Sequence, residues 1–336
     1  MLRKSVAAIV GTFMVLGSLT TVADVSAAET ITIGTPAPRS SPWGKVFRVW
    51  KAAVKKKTDG ALKLKFYWNS QQGGEGAMIG KMRAGQLDGA AVTAAGLGKI
   101  YKQTVALQTP GLFYDWKTLD RVRDSLTDEI KAGAKKNGFY LAGFGDVGLY
   151  HLMSNGREVR VPNDMKVMKP YRLSDDYIIP TVAQIIGFTP VPMTIPEILP
   201  ALTSGRINVA LSPALAAEQL QWAPQCDHLL DKTMATGIGG IVFSQKSIER
   251  LEAADPKLAK VLKKTGAKAA KMLTQRIRKR DAEAYERIKK RMTKVVTLNA
   301  AEDAQWEEVF KKVRERLGQG TFDAAFISRV EKLAGK

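Results

Sequence analysis

Residue types that carry enzyme chemistry are sparse in this chain. It has 336 residues but one Cys (Cys226) and two His (His151 and His228). A single thiol excludes an intramolecular disulfide and any cysteine-clustered zinc or iron–sulfur site. Cys226 and His228 stand at i, i+2, the order of a nucleophile with its base. Such a pair shares a face only on a strand, and no third group stands near to orient it. His151 lies in the apolar run Leu149–Ser154 and reads as a core residue. Asp175-Asp176 is a carboxylate pair, but neighbours on a helix point about 100° apart. At the start of a helix they suit a capping role better. Gly143-Phe-Gly-Asp-Val-Gly148 matches G-x-G-x-x-G, yet a second strand follows it, not the helix whose N-terminus would hold a phosphate. Its glycines read as relief for unusual backbone angles near a hinge or cleft. There is no G-x-S-x-G elbow, no G-x-x-x-x-G-K-[ST] loop and no H-E-x-x-H. The chain therefore reads as a non-enzyme with no metal and no cofactor.

The bulk properties bound what remains. Hydrophobic residues make up 45% and charged residues 25%, which excludes disorder and fibrous repeats. The length suits about two domains. A formal charge of +20 admits an anionic partner such as nucleic acid or a membrane surface. The start of the chain restricts that choice. Arg3-Lys4, an apolar stretch from Val6 to about Val22 and the small residues Ser26-Ala27-Ala28 read as a cleaved signal peptide over 1–28. The apolar run falls short of the roughly 20 residues of a spanning helix. Export to the periplasm argues against a nucleic-acid role.

The elements alternate along the rest. Ile31–Ala37 reads as a strand into a loop, Ser41-Pro42 opens a helix with Trp50 on its apolar face, and Leu62–Trp68 is a half-buried strand. A helix over 77–84 and a strand over 87–93 complete β-α-β-α-β. A helix over 119–137 precedes two strands, Phe139–Phe144 and Leu149–Ser154. The same order then recurs: strand-like Tyr171–Leu173, helix Asp175–Ile186, extended Thr189–Met193, helix Glu197–Ser204, strand Ile207–Leu211 and helix Ala214–Trp222. This predicts an α/β fold of two lobes, 29–156 and 157–233, with ligand between them at the carboxyl ends of the strands. A crossing strand and long C-terminal helices over 234–336 would span both. Residues 257–294 hold fifteen Lys/Arg and three Asp/Glu beside one apolar stripe, a long helix with a cationic outer face.

These residues also carry a resemblance. Gly73-Gly-Glu-Gly-Ala-Met78 with Lys81–Ala90, then Asp164–Lys169, then Pro196–Asn208 resemble, in order and spacing, segments of the substrate-binding proteins of tripartite ATP-independent periplasmic (TRAP) transporters, the DctP-like family. The resemblance implies the two-lobed periplasmic binding fold. It also implies delivery of a small ligand to the small DctQ-like and large DctM-like membrane subunits. Members that bind organic acids carry an Arg that clamps the carboxylate, for which a guanidinium fork is suited. Here Tyr171 holds that register and Arg172 follows it, and one step along a strand turns a side chain to the other face. With Ser212-Pro-Ala and Leu220-Gln-Trp222, this is similar to a subgroup lacking the Arg, associated with periplasmic tetratricopeptide-repeat partners and apolar ligands.

The resemblance places the ligand contacts at strand ends. Trp43, Tyr171, Met193 and Trp222 would wall an apolar pocket, while Ser212 and Gln219 would orient the ligand by hydrogen bonds. Gln72 and Glu75 of the first lobe and Arg172 and Asp175 of the second complete the set. Closure would turn on Asn155–Arg160 and the crossing at Met234–Gly240. The rival readings are a sensor feeding a receptor, a periplasmic enzyme and a basic membrane-binding protein.

Overall fold

The computed structural model describes residues 28–336. The leader read over 1–28 lies, but for Ala28, outside them. The first lobe runs β1 (Glu29–Gly34), α1 (Pro42–Lys57), β2 (Leu62–Tyr67), α2 (Glu75–Arg83), β3 (Gly89–Thr93), α3 (Ala94–Ile100) and, after a 3-10 turn, α4 (Trp116–Lys136). Strand β1 pairs in parallel with both β2 and β3. Helix α1 starts where the Ser41 side chain accepts the Gly44 N–H at 3.1 Å. Pro42 follows in the first turn, where a missing N–H costs nothing.

The next segment departs from the sequence expectation. Residues 139–154 form one strand of 16 residues, β4 (Phe139–Ser154), not two strands around a glycine loop. Two irregularities, at Leu141/Gly143 and Asp146/Gly148, bend the strand without ending it. Gly148 takes φ +135°, a conformation open mainly to glycine.

The second lobe holds β5 (Tyr171–Leu173), α5 (Ile179–Ile186), β6 (Val191–Met193), α6 (Ile195–Thr203), β7 (Val209–Pro213), α7 (Ala214–Gln219) and β8 (His228–Leu230). Helix α5 begins four residues later than the sequence suggested. Asp176 accepts the N–H groups of Ile178 and Ile179 at 2.7 and 2.9 Å, and Pro180 sits in the first turn. The chain then returns along β9 (Ala235–Ser244) into α8 (Gln245–Ala254) and the 36-residue α9 (Pro256–Arg291). β10 (Lys294–Val296), α10 (Ala300–Gly318) and α11 (Ala324–Ala334) close it.

One strand ties the two lobes into a single eight-stranded sheet, beside which β5 and β6 form a parallel pair. The order is β10-β8-β4-β9-β3-β1-β2, with β7 also on β4. Phe139 to Tyr150 pair antiparallel with β9, while Tyr150 to Ser154 pair with β7 and the last two also meet β8. The end of β4 thus pairs with β7 and β8 of the second lobe within the same sheet.

Helix α9 lies directly on the β4 backbone. A Cβ at Gly143 would come within 2.9 Å of Ala270, one at Gly145 within 3.0 Å of Leu273, and one at Gly148 within 2.5 Å of the Asp281 carboxylate. The G-x-G-x-x-G match is therefore a packing track for a helix, not a phosphate loop. Between its glycines, fully buried Asp146 receives Arg123 of α4 and Arg278 of α9, each at 2.6 Å. Both arginines also hold Asp120, and Arg278 stacks over Trp116 at 4.5 Å.

Removing one member of a buried ion network leaves its partners charged without compensation. Asp146→Ala should cost about 3–5 kcal/mol in urea unfolding. A cost below about 1 kcal/mol, the scale of a surface pair, would show that the network contributes little.

Candidate ligand cleft

Three cavities meet around the carboxyl end of β3. The first, about 100 Å³, is bordered by Thr93–Ala95, Gln108, Tyr150, Tyr171, Arg172 and Asp176, with Trp306 and Phe310 of α10 at its depth. The second, also about 100 Å³, lies between Pro36–Pro38, Trp43 and Thr93 of the first lobe, Leu215 and Gln219 of the second, and Ile277 of α9. The third, about 30 Å³, is bordered by Glu75, Ala95, Leu173–Asp175 and Met193. Thr93 borders the first two, Ala95 the first and third, and Ile195 the last two. They are parts of one cleft between the lobes.

Local structure places the polar groups. Glu75, in the first turn of α2, is buried and accepts the Thr93 N–H, the Thr93 hydroxyl and the Gly96 N–H at 2.8, 2.8 and 2.9 Å. Burial raises its pKa, and the bonds to Thr93 and Gly96 oppose that rise. Its carboxylate thus fixes the β3–α3 turn that forms the cleft floor. Asp175 reaches across the cleft, accepting the Gly76 N–H at 3.0 Å and pairing with Lys99 at 3.0 Å. The bond to Asp175 raises the Lys99 pKa. Asp176 accepts the two N–H groups at the start of α5 through Oδ1 alone, its Oδ2 has no partner among the described residues, and its pKa is raised by burial.

Tyr171 donates its hydroxyl to the Leu211 carbonyl at 2.9 Å, and its ring meets Trp222 edge-on at 5.9 Å. Arg172 borders the same cavity as Tyr171. Strand β5 is three residues long, and at its end the Arg172 side chain curls so that Nη1 donates to the Leu173 and Ser174 carbonyls, both at 3.3 Å. Among the described residues, its Nε and Nη2 have no partner. Tyr150, where β4 passes from one lobe to the other, also borders this cavity, and its hydroxyl has no partner among the described residues. Burial pushes its pKa up, so it stays a neutral donor. Gln108 accepts the Ile238 N–H at 3.4 Å through Oε1, leaving its amide N–H groups spare.

Seven of the residues singled out in the sequence border the cleft: Trp43, Glu75, Tyr171, Arg172, Asp175, Met193 and Gln219. The other three border none of these cavities. Gln72 accepts from Lys81 at 2.9 Å, buried Ser212 donates to the Pro213 carbonyl at 3.0 Å, and Trp222 is buried behind Tyr171. Tyr150, Gln108, Trp306 and Phe310 were not singled out. Tyr150 lay in a run read as core, and Trp306 and Phe310 form an i, i+4 face indistinguishable from ordinary helix packing. Burial pushes the Cys226 thiol up to about 12 and His151 down to about 4. His151 stacks on Tyr285, and His228 bonds Asp227, not Cys226.

Asp281 of α9 stands beside the second cavity. It accepts the N–H groups of Leu149 and Leu215, both at 2.8 Å, so it joins the crossing strand to the start of α7. Burial raises its pKa to about 6. The folded protein therefore binds this proton more tightly than the unfolded chain does. The associated stability is complete below about pH 4 and is lost as pH rises through 6, by about 3 kcal/mol. Urea unfolding across this range should show the fall, and Asp281→Asn should flatten it. An unchanged slope in the variant would assign the fall elsewhere.

Two α/β lobes joined by shared strands, with a cleft where they meet, define the class as a two-lobed binding protein. The sequence profile of bacterial extracellular solute-binding protein family 7 (DctP) matches residues 33–319, and the chain belongs to that family. A solute-binding protein of Chromohalobacter salexigens is 28% identical over 175 residues, 52% of each chain. The 2,3-diketo-L-gulonate-binding periplasmic protein of Escherichia coli is 27% identical over 167 residues, 48% of this chain and 49% of the relative. The chain thus aligns with about half the length of these curated relatives. Among solved structures, a TRAP periplasmic solute-binding protein of Ralstonia eutropha with bound (S)-2-acetolactate superposes with TM-score 0.83 at 20% identity, covering 91% of this chain and 98% of that one. One of Shewanella oneidensis with bound succinate gives 0.83 at 17%, covering 92% and 100%. At these identities the likeness concerns the fold.

Proposed function

We propose that this protein is the periplasmic solute-binding component of a TRAP-type transporter, and that it carries a small organic acid with an apolar portion. The observation that supports this most is the division of polar groups around the first cavity. Arg172, Tyr150 and Gln108 offer donors without partners among the described residues, while the carboxylate Asp176 spends Oδ1 on two backbone N–H groups and keeps Oδ2 open. Three spare donors, one of them a guanidinium, against one open carboxylate oxygen suit an anion. The rest of the wall, with Leu152, Ile178, Trp306 and Phe310, is apolar and suits a hydrocarbon portion. The relatives with bound acetolactate and succinate support the acid, and the depth of apolar wall supports the tail. In this reading the closed form docks on small DctQ-like and large DctM-like membrane subunits. A tetratricopeptide-repeat protein is a further partner in keeping with the subgroup resemblance.

The test is to purify the exported protein, denature it and identify what it releases by mass spectrometry. A monocarboxylate with an apolar chain is expected, and Arg172→Ala should then weaken its rebinding about tenfold or more, the scale of one charge-assisted hydrogen bond. Release of a neutral or cationic compound would contradict the reading. A second expectation concerns closure. Asp175 links the lobes only when they are together, so Asp175→Ala should weaken ligand binding about tenfold through a shifted open–closed equilibrium. Its urea midpoint should barely move without ligand. Unchanged affinity would remove Asp175 from the closing mechanism.

A further inference from the structure

Helices α1 and α9 pack side by side on one face of the sheet and share one hydrophobic core, Trp43, Phe47 and Trp50 against Leu262, Leu273 and Ile277. Trp50 donates its indole N–H to Thr265 at 3.0 Å, while Trp43 and Ile277 border one cavity, so the helices run antiparallel. Their outer faces consequently turn to the same side. Helix α1 has no carboxylate and exposes Lys45, Arg48, Lys51, Lys55, Lys56 and Lys57. Helix α9 has none before Asp281 and exposes Lys260, Lys264, Lys268, Lys271 and Lys279 at intervals that keep them on one stripe. Among the described residues, none of these eleven cations forms an ion pair. The carboxylates at the margin are engaged or peripheral: Glu252 holds Lys263, Asp255 caps α9, and Asp59 lies in the turn after α1.

We infer that this two-helix face docks on an anionic phospholipid surface. A row of exposed cations, ten lysines and Arg48, none of them in an ion pair among the described residues, recognises diffuse negative charge and not a shaped partner. Each cation near such a surface adds attraction that decays within a Debye length, and those that share the face act together. Val49, 47% exposed in the middle of α1, is one of the few large apolar side chains left open to solvent, and it lies among the cations. The inference stands on surface charge and is independent of what the cleft holds.

The test is co-sedimentation of the full mature protein with vesicles of about 30 mol% phosphatidylglycerol in phosphatidylcholine, at about 50 mM and about 500 mM salt. Binding at low salt, release at high salt and little binding to pure phosphatidylcholine are expected. Lys51→Glu, Lys55→Glu, Lys264→Glu and Lys268→Glu together should weaken partitioning at least about tenfold. Lys117→Glu, Lys131→Glu, Lys311→Glu and Lys332→Glu, the same charge change on α4, α10 and α11, should weaken it less than about threefold. Glutamine replacements at the same four platform positions repeat the test without adding repulsion, should the reversals unfold the protein. Absence of binding at low salt would overturn the inference and leave an acidic protein as the occupant. Equal losses in both variants would also overturn it, because net charge alone would then explain the binding.

Discussion

The contact of α9 with the backbone of β4 is the constraint on which the rest of the molecule depends. It requires glycine at 143, 145 and 148, since a side chain there would occupy the space of Ala270, Leu273 and Asp281. Once the helix is seated, its side chains fix the surroundings. Arg278 meets the buried Asp146, and Asp281 reaches the N–H groups of Leu149 and Leu215. One helix thereby holds the crossing strand, α4 through the shared Asp120, and the start of α7 in the second lobe. The lobes share this strand and this helix.

The cleft inherits its chemistry from that crossing. Tyr150 projects into it where β4 changes partners from β9 to β7. Most other polar side chains are already committed to the scaffold: Glu75 to the β3–α3 turn, Asp176 to the α5 terminus, and the Tyr171 hydroxyl to Leu211. Such groups hold the walls in place before a ligand arrives, which lowers the ordering cost of binding. Arg172, Tyr150 and Gln108 keep donors without partners among the described residues beside the first cavity. The division between scaffold and contact is thus written in hydrogen-bond partners and not in residue type.

That division explains what could be read from the sequence. The alternation of elements was legible because periods of two and of about 3.6 differ, and because Ser41-Pro42 and Gly187 mark helix ends by clear chemistry. The continuity of β4 was not, because glycines that admit a packed helix look the same as glycines that make a loop. The late start of α5 was hidden for a related reason, since Asp176 caps across a turn that the apolar pattern does not show. Gln72, Ser212 and Trp222 carry the right chemistry for ligand contact, but internal partners claim them. Strand register alone turns Arg172 away from the face of Tyr171. A three-residue strand leaves a long side chain free to curl back at its end.

The most direct measurement is a crystal structure of the protein with the ligand it retains on purification. The account predicts density in the cavity between Tyr150, Tyr171 and Arg172, with an acidic group on Arg172 and an apolar portion toward Trp306 and Phe310. Density confined to the Trp43–Gln219 side of the cleft, or an acidic group bound without Arg172 or Tyr150, would contradict it.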